Sequence, residues 1–176
     1  MPAAERAIAI DVATPADAPL LANLLELYIH DLSEVFALET DDHGRFGYDR
    51  LPLYWEEAER HFPFLIRRGG RVVGFALAMR GSPASENPDD LDLQEFFVLR
   101  RYRRMGVGRE AARLLWNRLP GRWIVRVSRG NHVALPFWSA TITEYTGGVQ
   151  SEYARPGDPH PWHVFAFDSA ASGTGR

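Results

Sequence analysis

Cysteine and lysine are both absent from this 176-residue chain. Without cysteine there is no disulfide, no thiol nucleophile and no thiolate metal ligand. Without lysine, all 20 fixed cations are arginine, which points to a GC-rich coding sequence rather than a chemical need. Charge of one sign is also scarce: the net charge of −3 exerts no global pull on nucleic acid, so any anion site must be local. No apolar run approaches the ~20 residues that cross a bilayer. The start, "MPAAERAIAI", lacks the basic opening and long apolar stretch of a secretion signal. The expectation is a cytoplasmic protein with neither nucleic acid nor membrane as partner.

What is present is the composition of a folded chain, 45% hydrophobic and 24% charged. Its length suits one domain, residues 1–176, with 169–176 as a flexible tail. "AIAIDVAT" (7–14) alternates like a strand, and Thr14, Pro15 and Asp17 form a helix-start signal. Leu20, Leu21, Leu24, Leu25 and Tyr28 then follow at helical spacing. From Ile29 to Arg60 the pattern weakens into short helices and loops. Two apolar runs flank Gly69-Gly70 over 64–80, the mark of a tight hairpin. "LDLQEFFVL" (91–99) reads as a strand, 106–119 as a helix stopped by Pro120-Gly121, and "RWIVRVS" (122–128) as a strand. Asn131 caps a helix through Ile142, and 161–170 is a closing strand. No internal repeat is visible. The order is that of an α/β (α+β) domain with a mixed sheet.

The densest basic cluster is "RRYRRMGVGREAARLL" (100–115), where a strand gives way to a helix. The first N–H groups of a helix lack internal partners and carry the positive end of its dipole. Glycine lets a ligand approach that backbone closely, so Gly106 and Gly108 at this junction form a phosphate seat. Arg100, Arg101, Arg103, Arg104 and Arg109 add local charge. The bland alternative is a solvated basic helix start with glycines for turning. "GVGREA" also fits a dinucleotide fingerprint, but six residues separate strand from glycine. No acid occurs between Glu110 and Glu144, where a ribose partner is needed, and the turn lies past the midpoint of the chain. This disfavours NAD and weakens NADP.

Arg103-Arg104-Met105-Gly106-Val107-Gly108 resembles the Arg/Gln-x-x-Gly-x-Gly/Ala loop of the GNAT superfamily of acyl-CoA-dependent N-acyltransferases. "NHVALPFW" resembles a second pattern of that family, through Asn131, Ala134, Phe137 and Trp138, and the element order agrees from Ile8 to Phe167. Within the superfamily, "NHVALPFWSATITEYTGG" resembles a group of predicted bacterial acetyltransferases, which names no substrate. The resemblance implies a mixed central sheet of about six to seven strands with about four helices, and acetyl-CoA (acyl-CoA) as cosubstrate. It implies that backbone N–H groups from Met105 to Arg109 hold the pyrophosphate. Phe97, Val98 and Leu99 would pair with the pantetheine amides as an added strand does. Asn131 would contact the pantetheine arm, alongside Phe137 and Trp138; its plain reading is a helix cap.

Acyl transfer to an amine needs a proton acceptor. Glu95, the one acid amid "LQEFFVL", is the candidate base, since burial raises a carboxyl pKa. Strand alternation offers the opposite reading, an outward-facing residue. A backbone N–H near Val98 suits the thioester oxygen. The family's frequent tyrosine is replaced by Trp138, whose indole N–H is no acid. Tyr145 or Tyr153 then becomes the candidate proton donor to the thiolate, or the proton comes from the attacking nitrogen. Tyr28, Asp31, Glu39, Asp41, Asp42, Tyr48, Tyr54 and Trp55 form an acidic, aromatic set that suits a cationic amine, unless they are a solvated surface. Tyr28, Asp31 and Tyr54 are the acceptor-binding candidates. His160 and His163 flank Pro161 without a third ligand, so no metal is expected. The expected partner is a small-molecule or peptide amine, with a homodimer as candidate assembly. A catalytically silent acyl-CoA-binding module and an NADP-binding domain stay open as alternatives.

Overall fold

The computed structural model describes residues 6–154 and 162–169. In chain order the elements are β1 (Ile8–Val12), a 3-10 turn (Pro15–Asp17), α1 (Ala18–Leu32), α2 (Leu53–Glu56), β2 (His61–Arg68) and β3 (Arg71–Arg80). They continue with β4 (Leu91–Val98), a second 3-10 turn (Arg100–Tyr102), α3 (Val107–Arg118), β5 (Gly121–Ser128), α4 (Ala134–Thr146), β6 (Ser151–Ala154) and β7 (Trp162–Ser169). The strands form one seven-stranded sheet in the order β1-β2-β3-β4-β5-β7-β6.

Local chemistry places the first elements. Asp17 Oδ2 accepts from the Thr14 amide and hydroxyl, each at 2.8 Å, and this clasp starts the turn that leads into α1. Gly69 and Gly70 sit at φ 54° and 77°, as a two-residue hairpin requires, and join β2 to β3. α4 begins at Ala134 and runs to Thr146, later at both ends than the sequence suggests. β6, a four-residue edge strand, carries no clear signal of its own. Ser169, where the expected strand and the expected tail overlap, belongs to β7: its Oγ accepts from the Gly121 amide at 3.0 Å. Residues 170–176, with His160 and Pro161, lie outside the described residues.

The sheet is covered on both sides. Phe75 and Leu77 of β3 pack with Leu21, Leu25 and Tyr54 on a front face under α1 and α2. Ala76 and Ala78, alternating with them, pack with Leu115 and Trp116 on a back face under α3 and α4. Among the described strands only β4 and β5 run parallel, and they pair only from Leu91↔Trp123 to Leu93↔Val125. Beyond Leu93 they part, opening a wedge in the middle of the sheet. A doubly wound dinucleotide-binding sheet is therefore not formed. Among the described residues no helix is long and apolar enough to cross a membrane.

Candidate active site

The upper half of β4 carries a β-bulge. Leu77 pairs with Glu95 but Ala78 pairs with Leu93, so Gln94 is an extra residue. Leu91 and Leu93 pack on the back face. Strict alternation would send Glu95 there too. The bulge instead turns it to the front, between Gln94, which reaches Asp92 at 3.0 Å, and Phe97 in the front core.

At the front, two hydroxyls meet the carboxylate. Tyr28 donates to Oε2 at 2.7 Å and Tyr48 to Oε1 at 2.9 Å. Burial raises the pKa of Glu95 above the usual carboxylate range, outweighing the two hydroxyls and the charges of Arg126 and Arg50, which lower it. Burial, with the neighbouring carboxylate, also pushes both tyrosines up, so they remain protonated donors. The Glu95 carboxyl thus holds a proton to higher pH than an ordinary carboxylate. Tyr28 is held by an edge contact to Phe75, with centroids 5.8 Å apart. Tyr48 is delivered by a segment whose Phe46 and Gly47 amides bond to Glu26 at 2.8 and 3.0 Å.

Of the rest of the acidic, aromatic set, Tyr54 joins this cluster through Tyr48, and the others are held elsewhere. Asp31 takes Arg100 at 2.6 Å and also pairs with Arg103; these two arginines outweigh its burial and hold its carboxyl below the usual range. It therefore ties α1 to the basic loop. Tyr54 is buried against His61 and hydrogen-bonded to Tyr48, within reach of the Glu95 charge. Asp41 caps its own loop through the His43 and Arg45 amides, both at 2.9 Å, and Trp55 donates to Ala13 O at 3.2 Å.

The basic loop ends in Gly106 at φ 79°, which precedes α3, and Gly106 O accepts the Glu110 amide at 3.0 Å as the first helical bond. The Val107, Gly108 and Arg109 amides consequently lack helical partners. A Cβ on Gly106 would meet nothing within 4 Å, so the space before the helix is open. Gly108 has a different reason to be glycine: a Cβ there would lie 3.1 Å from Phe137. Arg104 adopts φ 58°, the one non-glycine residue at positive φ among those described. Of the five arginines, Arg100 and Arg103 are held by Asp31, and Arg109 by Glu144 at 2.8 Å. Arg101 and Arg104 make no ion pair among the described residues. Met105 is exposed and accepts a contact from Arg68.

The loop opens beside the wedge. Leu99 gives its amide to Val73 O at 2.9 Å. Amides alternate along a strand, so Phe97 also faces β3, while Val98 and Phe96 face the opening. Of Phe97, Val98 and Leu99, only Val98 thus offers its backbone there, and its carbonyl takes Arg103 Nε at 2.7 Å. Across the opening, Asn131 Oδ1 accepts the Ala134 amide at 2.9 Å, the expected cap. Phe137 stacks on Phe96 with centroids 6.4 Å apart, and Trp138 meets Phe96 edge-on at 5.0 Å. Tyr145 is elsewhere. Its hydroxyl donates to Asn117 at 2.8 Å, at the far end of α3, roughly 15 Å from the loop at 1.5 Å per residue. It is not placed to protonate a leaving group at the wedge. Tyr153 bonds Ala84 O at 2.9 Å. His163 pairs with Glu152 at 2.9 Å, and no metal-ligand cluster gathers among the described residues.

Sequence reasoning missed a front cavity of about 430 Å³ lined in part by Arg50, Arg60, Arg126, Gln94, Ser82 and Glu86. Asp92, fully buried at its edge, is bound by Arg126 at 2.8 and 2.9 Å and by Ser82. The cavity's lining comes from five separate stretches between Arg50 and Arg126, and no short motif marks them.

The sequence profile of the acetyltransferase (GNAT) family matches residues 23–140. No curated protein matches the chain by sequence. Among solved structures, an acetyltransferase from Thermus thermophilus superposes with a TM-score of 0.66 at 20% identity, over 93% of this chain and 98% of that one. The aminoglycoside acetyltransferase AAC(6')-Ib, in complex with coenzyme A, gives 0.66 at 12% identity, over 92% and 95%. Spermidine N-acetyltransferase from Vibrio cholerae, in complex with CoA and spermine, gives 0.62 at 11% identity, over 92% and 95%. At these identities the likeness is one of fold.

Proposed function

The chain belongs to the acetyltransferase (GNAT) family; acyl transfer from acyl-coenzyme A to an amine is therefore its chemistry, and we propose the roles its residues take. Bound acyl-CoA supplies the acyl group as an activated thioester. The residues fit such a ligand: unpaired amides of Val107 to Arg109 face open space before Gly106, and the β4–β5 wedge adjoins them. Those amides hold the pyrophosphate, with Arg101 and Arg104 at hand for a further phosphate. Val98 pairs with the pantetheine arm and polarises the thioester oxygen, and Asn131 flanks the arm from α4. Glu95 takes the proton of the attacking amine, in direct transfer with both substrates bound. With neither Tyr145 nor Tyr153 at the wedge, the nitrogen being acylated is left as the proton source for the leaving sulfur.

The observation that carries this reading is Glu95 itself: a half-buried carboxylate, turned by a bulge toward the front, where the sheet opens beside a phosphate seat. The test is thiol release from acetyl-CoA across an amine library, with Glu95→Gln as the variant. Turnover should fall by about 10²–10⁴ with CoA affinity kept. Full rate in a folded Glu95→Gln protein removes the base. Trp138 in the place of tyrosine favours one second reading, a silent acyl-CoA-binding module, and protection by acetyl-CoA without thiol release on any amine would select it. The chain acts as a single cytoplasmic domain on a small-molecule or peptide amine, without metal, membrane or nucleic acid, and as a candidate homodimer.

A further inference from the structure

The front cavity is cationic where the sequence suggested an acidic pocket. Arg50, Arg60 and Arg126 line it against the single carboxylate of Glu86. Arg126 is already matched by Asp92 and covered by Trp162, 5.7 Å from its ring. Arg50 and Arg60 are different. They bracket α2, both are exposed, and the guanidinium of Arg50 makes no ion pair among the described residues. Arg60 makes one long hydrogen bond, 3.4 Å, to Arg80 O. Planar guanidinium donors facing one cleft match a carboxylate, which they bind through paired hydrogen bonds. The cavity also adjoins the base: Gln94 lines it, Glu95 is the next residue on the same side of the bulge, and the charge of Arg50 reaches Glu95. The cleft therefore carries arginines in its lining beside the Glu95 carboxylate, and its 430 Å³ suits a small ligand. A polyamine would bring its second cation against those arginines.

We infer that the acceptor is an amine that also carries a carboxylate, its amine at Glu95 and its carboxylate on Arg50 and Arg60; this rests on the acyl-transfer reading above. An amino acid and a peptide with a free C-terminus share that chemistry.

The test uses matched probes: leucine against isoamylamine, phenylalanine against phenethylamine, and glycyl-leucine against its C-terminal amide. Binding is read by calorimetry on the CoA-saturated protein, and turnover by thiol release from acetyl-CoA. Carboxylated probes should bind at least tenfold tighter than their partners. The double variant Arg50→Gln/Arg60→Gln should erase the difference and Glu86→Gln should widen it. Preference within the dipeptide pair but not the amino-acid pairs identifies a peptide end; the reverse identifies a free amino acid. Equal or tighter binding of the uncharged-tail probes, or no binding by any carboxylated probe, overturns the inference. Turnover without carboxylate preference overturns it while leaving acyl transfer intact. Carboxylate-selective binding without thiol release supports the site and sinks the transfer.

Discussion

Replacing Tyr48 with phenylalanine removes one hydroxyl from the Glu95 site and leaves the ring in place. That hydroxyl donates to Glu95 Oε1 at 2.9 Å. A hydrogen bond to a charged group contributes about 1.5–3 kcal/mol, and one pKa unit corresponds to about 1.36 kcal/mol. The loss should therefore move the carboxyl by roughly one unit, or two where no water replaces the hydroxyl. The direction follows from which form the bond favours. The hydroxyl stabilises the ionised carboxylate, so its removal favours the protonated acid, and a pKa already raised by burial rises further. In the profile of kcat/KM against pH, the acidic limb should shift to higher pH with the plateau kept. Carbon-13 titration of labelled glutamate carboxyls reads the same shift with no acceptor present. Stability carries a matching sign. A raised carboxyl pKa favours the fold at low pH, and this contribution is lost as pH rises through the folded value. A limb and a titration that stay in place, or move to lower pH, refute the hydrogen-bonded base.

Other outcomes follow from the loop. Gly108→Val should cost about 1–3 kcal/mol by overpacking against Phe137, 3.1 Å from the new Cβ, whereas Gly106→Val, strained by its φ of 79° at a cost of about 1–2 kcal/mol, should in addition weaken CoA by tenfold (about 1.4 kcal/mol) or more. Denaturant unfolding and CoA calorimetry separate the two, and unchanged CoA affinity in Gly106→Val removes the seat. Arg101→Gln/Arg104→Gln should abolish any preference for CoA over dephospho-CoA and flatten the salt dependence of binding; a preference that survives assigns the 3′-phosphate elsewhere. Asp31→Asn should lower Tm at neutral pH but not in strong acid, because the depressed Asp31 carboxyl stabilises the fold above the ordinary carboxylate range and loses that role as pH falls through its folded value. A Tm difference that persists unchanged in acid refutes the ion-pair account.

Where a local rule governs, residue order is enough to foresee the structure. Gly69-Gly70 has few uses between two apolar runs except a hairpin. Thr14-Pro15-Asp17 makes its clasp within three residues. The phosphate seat is local too, since a helix start and its glycine are neighbours in the chain. Long-range choices were hidden. Asp31 looks like an acceptor ligand until the fold places two arginines from about 70 positions away against it. Tyr145 looks available until Asn117 takes its hydroxyl. The arginine-lined cavity collects residues whose spacing along the chain carries no period.

Glu95 shows why alternation alone could not decide the base. A period of two assigns every strand residue to a face only while the ladder is unbroken, and one inserted residue reverses every assignment beyond it. At β4 the slip occurs at Gln94, one residue before the carboxylate that matters. The same slip sends Phe96 to the back face with Phe137 and Trp138, and Phe97 forward to pack beside Tyr28. Tyr28 and Asp31 are three apart on α1, so they lie on one side of that helix. One binds the base, and the other binds the arginines of the loop. A single helix face therefore ties the proton acceptor to the phosphate seat, and a shift of α1 against the sheet would disturb both ends of the site together.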